Sequence, residues 1–328
     1  MLVRAFARFL FAILGYLCLA TLVFVTSFAL LRMGIPTGLP WLQEVQANLY
    51  HGGLRNIWQN QPDCVTFDEK LIYRPRDGEC AFHNAEFHTV LHFAGGIRAQ
   101  KPIARDRAGI AVIGDSYAMG WGVNDDETFA AVLQERLGRP VYNLGVSSYG
   151  TTRELMALEM SGLLDKVDTV IIQYCDNDLE ENLHFNPASA QQVRDKFAQV
   201  TRRTPSSLTE QLPFLFAGLR YALKVPFGAI KALWKAEPTL NFSPHYHALV
   251  AAIGKYEALR EKTVVVFYIN DQGKRFTNFP NGADRNLTYV RFADLNVGRE
   301  KRYALDGHLT VQGNRYVAER LVDTLASR

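Results

Sequence analysis

The sequence predicts an α/β fold: three layers, with a mostly parallel sheet between helices, behind an N-terminal transmembrane helix and a small β-rich lead-in. Two observations carry the layered part. From about residue 106 to the end, short β-branched runs alternate with amphipathic helical segments, the pattern of a parallel sheet with helices on both faces. A hydrophobic fraction of 48% over 328 residues supplies a substantial core.

The elements follow in order. From Phe9 to Leu31 no residue is charged, a stretch long enough to cross a bilayer as a helix. Arg4 and Arg8 before it favour a cytoplasmic N-terminus and an exported body. A cleaved signal peptide is the rival reading, with Ser27-Phe28-Ala29 as its cleavage site, although the apolar region exceeds the usual signal core. Gly34 to Pro40 reads as a linker. In the lead-in, Ala85 to Phe93 alternates as a strand, and Gly95-Gly96 ends it.

Gly109-Ile110-Ala111-Val112-Ile113 reads as a buried strand. A helix from about Glu127 places Phe129, Leu133 and Leu137 on one face. Val141 to Leu144 is the next strand, and Thr151 or Thr152 caps a helix to about Leu164. Strands follow at Thr169–Tyr174, Thr263–Ile269 and, more weakly, Leu287–Phe292. Thr310 caps a last helix with Val317, Leu321 and Leu325 inward. The expected organisation is residues 1–33 as cytoplasmic tip and anchor, 34–105 as linker and lead-in, and 106–328 as the main domain. A helical insertion without strands interrupts that domain at about 185–245. Within it, residues 208–235 mix Phe214, Phe216, Tyr221, Phe227 and Trp234 with Arg220, Lys224, Lys231 and Lys235. They read either as a basic aromatic cover on the membrane or over a site, or as an ordinary insertion packed on the core.

A net charge of +3, with no zinc-finger or helix-turn-helix pattern, gives no case for nucleic acid. Cys64 and Cys80 flank a short loop-rich segment; they pair in an oxidising compartment or stand as unrelated thiols. His245 and His247 lack further ligand partners, as do His88 and His92, so neither a metal nor a cofactor is expected.

The chemistry-bearing residues fall in separated blocks. Gly114-Asp115-Ser116-Tyr117 follows the first strand and continues to Gly120-Trp121-Gly122-Val123. Asn143-Leu144-Gly145 follows the second, with Gly150 beyond. Cys175-Asp176-Asn177-Asp178 follows the third, and Asp306-Gly307-His308 precedes the last helix. Each alone reads as a turn or a helix start. Together, in this order, they resemble the SGNH (GDSL-like) hydrolase superfamily, from about Ile110 to Leu325.

The resemblance implies a flavodoxin-like sheet and a catalytic set of Ser116, His308 and Asp306. Ser116 attacks an ester carbonyl, His308 takes its proton, and Asp306 orients the imidazole. It assigns the oxyanion donors to the Ser116 N–H, the Gly145 N–H and the Asn177 side chain. Gly145 also reads as a position where a side chain blocks close approach of the backbone to substrate. Asp115 supports the turn, and Asp178, Glu180, Glu181 and Asn182 start the next helix.

Two departures stand out. Cys175 takes the place of the family's usual glycine. The acid lies two residues before the histidine, because Leu305 occupies the usual position three before. The shorter spacing resembles exported alginate O-acetyltransferases and some esterases of the superfamily.

The expected protein is an inner-membrane, single-pass serine esterase with its catalytic domain in the periplasm or outside. It removes O-acyl, above all O-acetyl, groups from a cell-surface or secreted polysaccharide, working beside polysaccharide-assembly proteins. One alternative is an O-acyltransferase with the same residues; another is an anchored scaffold without turnover. A lipid esterase rests on the basic aromatic segment alone.

Overall fold

The structure, a computed structural model, describes residues 2–103, 108–186, 189–201, 207–224, 239–269 and 275–326. The lead-in boundary near Asp106 and the aromatic and basic residues from Phe227 to Lys235 lie outside these.

The chain opens with α1 (Leu2–Arg32) and α2 (Pro40–Leu49), which runs into a turn at Tyr50–Leu54. Among the described residues α1 is the helix long and apolar enough to cross a membrane. Five short strands follow: β1 (Val65–Asp68), β2 (Ile72–Pro75), β3 (Gly78–His83), β4 (His88–Ala94) and β5 (Ile97–Arg98). The alternation from Ala85 thus begins in a turn, where the Asn84 N–H donates to the Phe87 carbonyl at 2.9 Å. Cys64 and Cys80 form a disulfide that ties β1 to β3.

The main domain holds β6 (Gly109–Gly114), α3 (Ser116–Met119), α4 (Phe129–Leu137), β7 (Val141–Asn143), α5 (Thr151–Met160), β8 (Val167–Tyr174) and α6 (Asp178–His184). It continues with α7 (Ala190–Val200), α8 (Leu208–Ala222), β9 (Thr239–Asn241), α9 (Ser243–Gly254) and β10 (Thr263–Tyr268). β11 (Arg275–Thr277), β12 (Gly282–Ala283), β13 (Val290–Asp294) and α10 (Val311–Ala326) complete it.

Among the described residues, nine strands form one sheet in the order β12-β13-β10-β8-β6-β7-β5-β4-β3. Its centre, β13-β10-β8-β6-β7, is parallel. The lead-in strands β3, β4 and β5 extend it antiparallel from β7, so they continue the sheet instead of forming a separate layer. Alternate residues of each strand face opposite sides. Ile110 and Val112 pack with Phe129 and Leu133 of α4 and Val317 and Leu321 of α10. Ala111 and Ile113 face Leu155 and Leu158 of α5 and Leu249 and Ile253 of α9. Two helical layers therefore sandwich the sheet.

Some boundaries differ from the sequence reading. α4 starts at Phe129 because Thr128 caps it, its hydroxyl accepting from the Ala131 N–H at 3.1 Å. Neither Thr151 nor Thr152 caps α5. The Thr151 hydroxyl instead donates to Asp178 at 3.0 Å, and Thr152 bonds Asn182. Thr310 does cap α10, through the Gly313 N–H at 3.3 Å. The 185–245 segment contains a strand after all. β9 pairs with β11 apart from the main sheet and is too short to show periodicity.

Candidate active site

β6 delivers the chain to the crevice at the carboxyl end of the sheet, where open α/β sheets bind ligands. Asp115 caps α3 by accepting the Tyr117 N–H at 2.9 Å, which fixes Ser116 as the first helical residue. Ser116 Oγ lies 2.7 Å from Nε2 of His308. Nδ1 of the same ring lies 2.5 Å from Asp306 Oδ1. The loop before α10 thus places His308 between serine and carboxylate, although the acid stands only two residues away. Gly307 makes this spacing work: its left-handed backbone, φ +84°, reverses the chain between the two side chains.

The Asp306 side chain is fully buried and heavily partnered. The Tyr50 hydroxyl donates to it at 2.7 Å, Trp121 Nε1 donates at 3.3 Å, and the Arg55 guanidinium pairs with it at 2.9 Å. Burial alone would raise its pKa. The opposing charges of His308 and Arg55 and the donated hydrogen bonds outweigh that and hold the carboxyl well below the usual carboxylate range. Burial, together with the Asp306 charge, keeps Tyr50 protonated by pushing its hydroxyl up. The loop itself is gripped by Glu86, which accepts the N–H groups of Ala304, Leu305 and Asp306 at 2.7, 2.8 and 2.8 Å.

The turn that follows Ser116 is clamped by Arg98. Its buried guanidinium donates to the carbonyls of Met119, Gly120 (2.8 Å) and Val123 (2.6 Å) and pairs with Asp125. Gly120, φ +79°, ends α3, and a Cβ there would meet that guanidinium at 2.7 Å.

Ser116, His308 and Asn177 line one cavity of about 250 Å³, walled by Arg55, Trp58 and Trp121. Ile57, Ser148 and Asn177 also line a neighbouring groove of about 570 Å³ that runs past Tyr73, Glu180 and Phe185. A cavity of similar size lies at the opposite ends of the strands, around Thr169, Thr263 and Tyr289, away from Ser116.

Gly145 does not line the cavity. Its N–H donates to Asn143 Oδ1 at 2.9 Å, and a Cβ on it would meet the Met119 nitrogen at 2.2 Å. The absence of a side chain at Gly145 is needed for its contact with α3. Ser147 and Ser148 take the place at the cavity wall, with Ser148 in the left-handed region at φ +62°. Gln59 holds this turn by donating to Ser148 Oγ at 2.6 Å, and Arg153 donates to the Ser148 carbonyl at 2.6 Å.

The remaining sequence candidates are placed plainly. Asp178 starts α6, and Glu181 pairs with Arg153. His245 is buried against the Tyr174 hydroxyl at 2.9 Å, whereas His247 is exposed. His92 meets Asp125 at 2.7 Å. Cys175 is buried. The sequence reading missed Tyr50, Arg55, Glu86, Arg98 and Ser148. Trp121 stood within a quoted block, but nothing local tied it to Asp306.

The fold and site together define a hydrolase of α/β class with a Ser–His–Asp arrangement at the carboxyl end of its sheet. Residues 110–321 match the family model of the GDSL-like lipase/acylhydrolases, and the chain belongs to that family as an ester-hydrolysing enzyme. No curated protein matches the chain. Among solved structures it is similar to a putative lipolytic protein of the G-D-S-L family from Desulfitobacterium hafniense. That match has 12% identity and a TM-score of 0.35, over 66% of this chain and 99% of that one. A family two carbohydrate esterase from Corynascus thermopiles matches at 14% identity and TM-score 0.33, over 72% and 69% of the two chains. An acetyl xylan esterase from Butyrivibrio proteoclasticus matches at 13% and 0.32, over 69% and 64%.

Proposed function

We propose that this enzyme is a membrane-anchored serine esterase that removes O-acetyl groups from a cell-surface or secreted polysaccharide through an acyl-serine intermediate. The observation that carries the reading is the continuous run of hydrogen bonds from Ser116 through His308 to a carboxylate held in its charged form by His308, Arg55 and the Tyr50 hydroxyl. His308 takes the Ser116 proton as Oγ bonds the ester carbonyl carbon, and Asp306 stabilises the resulting imidazolium. The proton then passes to the departing sugar oxygen. Water attacks the acyl-serine in a second round, giving acetate and free Ser116. The Ser116 N–H, the Ser148 N–H and the Asn177 amide serve as oxyanion donors, with Ser148 in the role first assigned to Gly145.

The small cavity at Ser116 suits a short acyl group, and the groove beyond it leaves room for a polymer. α1 favours retention of the N-terminal helix in the inner membrane, with the catalytic body outside. Ser27 is buried, its hydroxyl donating to the Leu42 carbonyl at 3.3 Å, and Val23 and Leu31 on the same face of α1 pack against the body.

Full-length protein and its Ser116→Ala variant, given an acetylated oligosaccharide with and without an acceptor, test the reading. Acetate release should fall at least about a thousandfold in the variant. Acetyl appearing on the acceptor instead of in water would convert the esterase to a transferase. Equal background rates for two folded proteins would leave only a scaffold.

A further inference from the structure

Two of the three oxyanion donors proposed above stand on separate loops, Ser148 after β7 and Asn177 after β8. Each loop runs directly into a helix. Ser148 lies just before α5, and Asn177 is the residue before α6. The spacing of these two donors is therefore set by how α5 docks on α6.

The first turn of α5 makes that docking. The Thr151 hydroxyl donates to Asp178 at 3.0 Å, and the Thr152 N–H donates to Asn182 at 3.0 Å. Next to them, Arg153 Nε donates to Glu181 at 2.8 Å. Gly150 lets the two helices approach, because a Cβ on it would meet the Glu181 Cβ at 2.8 Å. That contact accounts for the glycine beyond the second sequence block. Arg153 also reaches back to the loop it follows. Its Nη2 donates to the Ser148 carbonyl at 2.6 Å, and the guanidinium lies 4.4 Å from the centre of the Tyr149 ring. The Arg153 and Glu181 side chains are only 8% and 13% exposed, so water and salt screen the pair little. One planar group thus ties the backbone of Ser148 to the helix that begins after Asn177. The fork of a guanidinium holds both partners at fixed angles, which an ammonium cannot do. Arg153 lines the groove beside the cavity and stands outside the lining of the cavity at Ser116.

We propose that Arg153 is a positioning residue for the oxyanion site. Its bridge between the Ser148 carbonyl and Glu181 sets the Ser148 N–H and the Asn177 amide at the spacing that one oxyanion requires. The inference rests on reading Ser148 and Asn177 as oxyanion donors. Donors aimed in advance need no reorganisation when negative charge develops on the ester oxygen. Arg153 therefore acts on the transition state and not on bound substrate, so weakening the bridge lowers kcat and spares KM.

The test is a double-mutant cycle on the full chain, with a soluble chromogenic acetyl ester as substrate. The variants are Arg153→Lys, Glu181→Gln and Asn177→Ala, with each of the first two also combined with Asn177→Ala. Near-UV circular dichroism qualifies each as folded, and either bridge variant suffices. Asn177→Ala should lower kcat about a hundredfold or more. Arg153→Lys and Glu181→Gln should each lower kcat about tenfold, with KM within about twofold of the parent. In the Asn177→Ala background no amide is left to align, so either should cost less than about threefold further. A full tenfold loss that persists in that background overturns the inference, because the bridge then acts without Asn177. So does a rise in KM at unchanged kcat, which makes Arg153 a substrate contact of the groove. Parental kinetics in the bridge variants overturn it too, and if neither variant folds, the bridge serves the fold and not the oxyanion. If Asn177→Ala itself keeps the parental kcat, the oxyanion reading fails and the inference falls with it.

Discussion

The parallel core and the N-terminal lead-in divide the labour of the site. The core, β6 to α10, carries the proposed reacting residues Ser116, His308 and Asp306. The lead-in carries much of what holds them, with Tyr50 and Arg55 on the carboxylate, Glu86 on its loop, Arg98 on the turn after the nucleophile and Gln59 on the Ser148 turn. The difference teaches that the family's blocks specify chemistry, while a segment outside the matched residues 110–321 sets its geometry and charge.

The sharpest way to break that division is to compare one residue from each side. Asp306→Asn keeps the shape but favours the wrong imidazole tautomer, and turnover should fall by about 10⁴ with folding intact. Arg55→Ala leaves the triad complete and removes a charge-assisted partner worth about 1.5–3 kcal/mol, so turnover should fall about 10–100-fold. If Arg55→Ala matched Asp306→Asn, the guanidinium would itself touch substrate. If it had no effect, the lead-in would be packing only.

Acid stability sharpens the comparison further. Because the folded carboxyl of Asp306 titrates below its unfolded value, the stability it contributes is present above pH ~3.9 and is lost as pH falls toward the folded value. Arg55→Ala raises the folded pKa. Less stability is then gained from the charged carboxylate at neutral pH, and acid unfolding should begin at higher pH, measured by circular dichroism on an acid titration. An unchanged acid midpoint would show that His308 and Tyr50 alone hold the charge.

The two regions also differed in how much of them could be read. The core strands announce themselves because burial on both faces demands unbroken apolar runs, as in Gly109–Gly114 with every residue buried. The blocks stood at strand ends because ligands bind there. The lead-in strands are short, two to seven residues, and β1, β2, β3 and β5 left little periodicity. Tyr50 and Arg55 gave no signal because their partner Asp306 lies 256 and 251 residues away. The α3 contact of Gly145 could not be read, because a glycine needed for helix contact and one needed for substrate approach look alike in sequence. Ser148 was missed because a left-handed serine carries no mark until the backbone is seen.

A smaller effect should separate the lead-in's stability from its role at the site. The Cys64–Cys80 cross-link closes a loop with a sequence separation of 16, and its loss should cost about 3 kcal/mol in the chain-entropy picture. Cys64→Ser with Cys80→Ser should lower the denaturant midpoint while turnover in the absence of denaturant stays near that of the parent. A loss of turnover without denaturant would mean that the disulfide also sets where Trp58 and Gln59 sit.

The smallest effect concerns Ser148 and tells the backbone's part from the side chain's. Its left-handed conformation costs a non-glycine residue about 1–2 kcal/mol, which Ser148→Gly relieves. The substitution gives back about 0.5–1 kcal/mol through the greater freedom of glycine in the unfolded chain. It also removes the hydroxyl that accepts from Gln59 at 2.6 Å. These contributions nearly cancel, so the denaturant midpoint should scarcely move. If the N–H of this residue serves the oxyanion, turnover survives as well, because glycine keeps the same N–H in a backbone it adopts freely. A tenfold or greater fall in kcat at unchanged stability, about 1.4 kcal/mol in the barrier, would mean that the Gln59–Ser148 contact orients the turn. The lead-in would then reach the oxyanion as directly as it reaches the carboxylate.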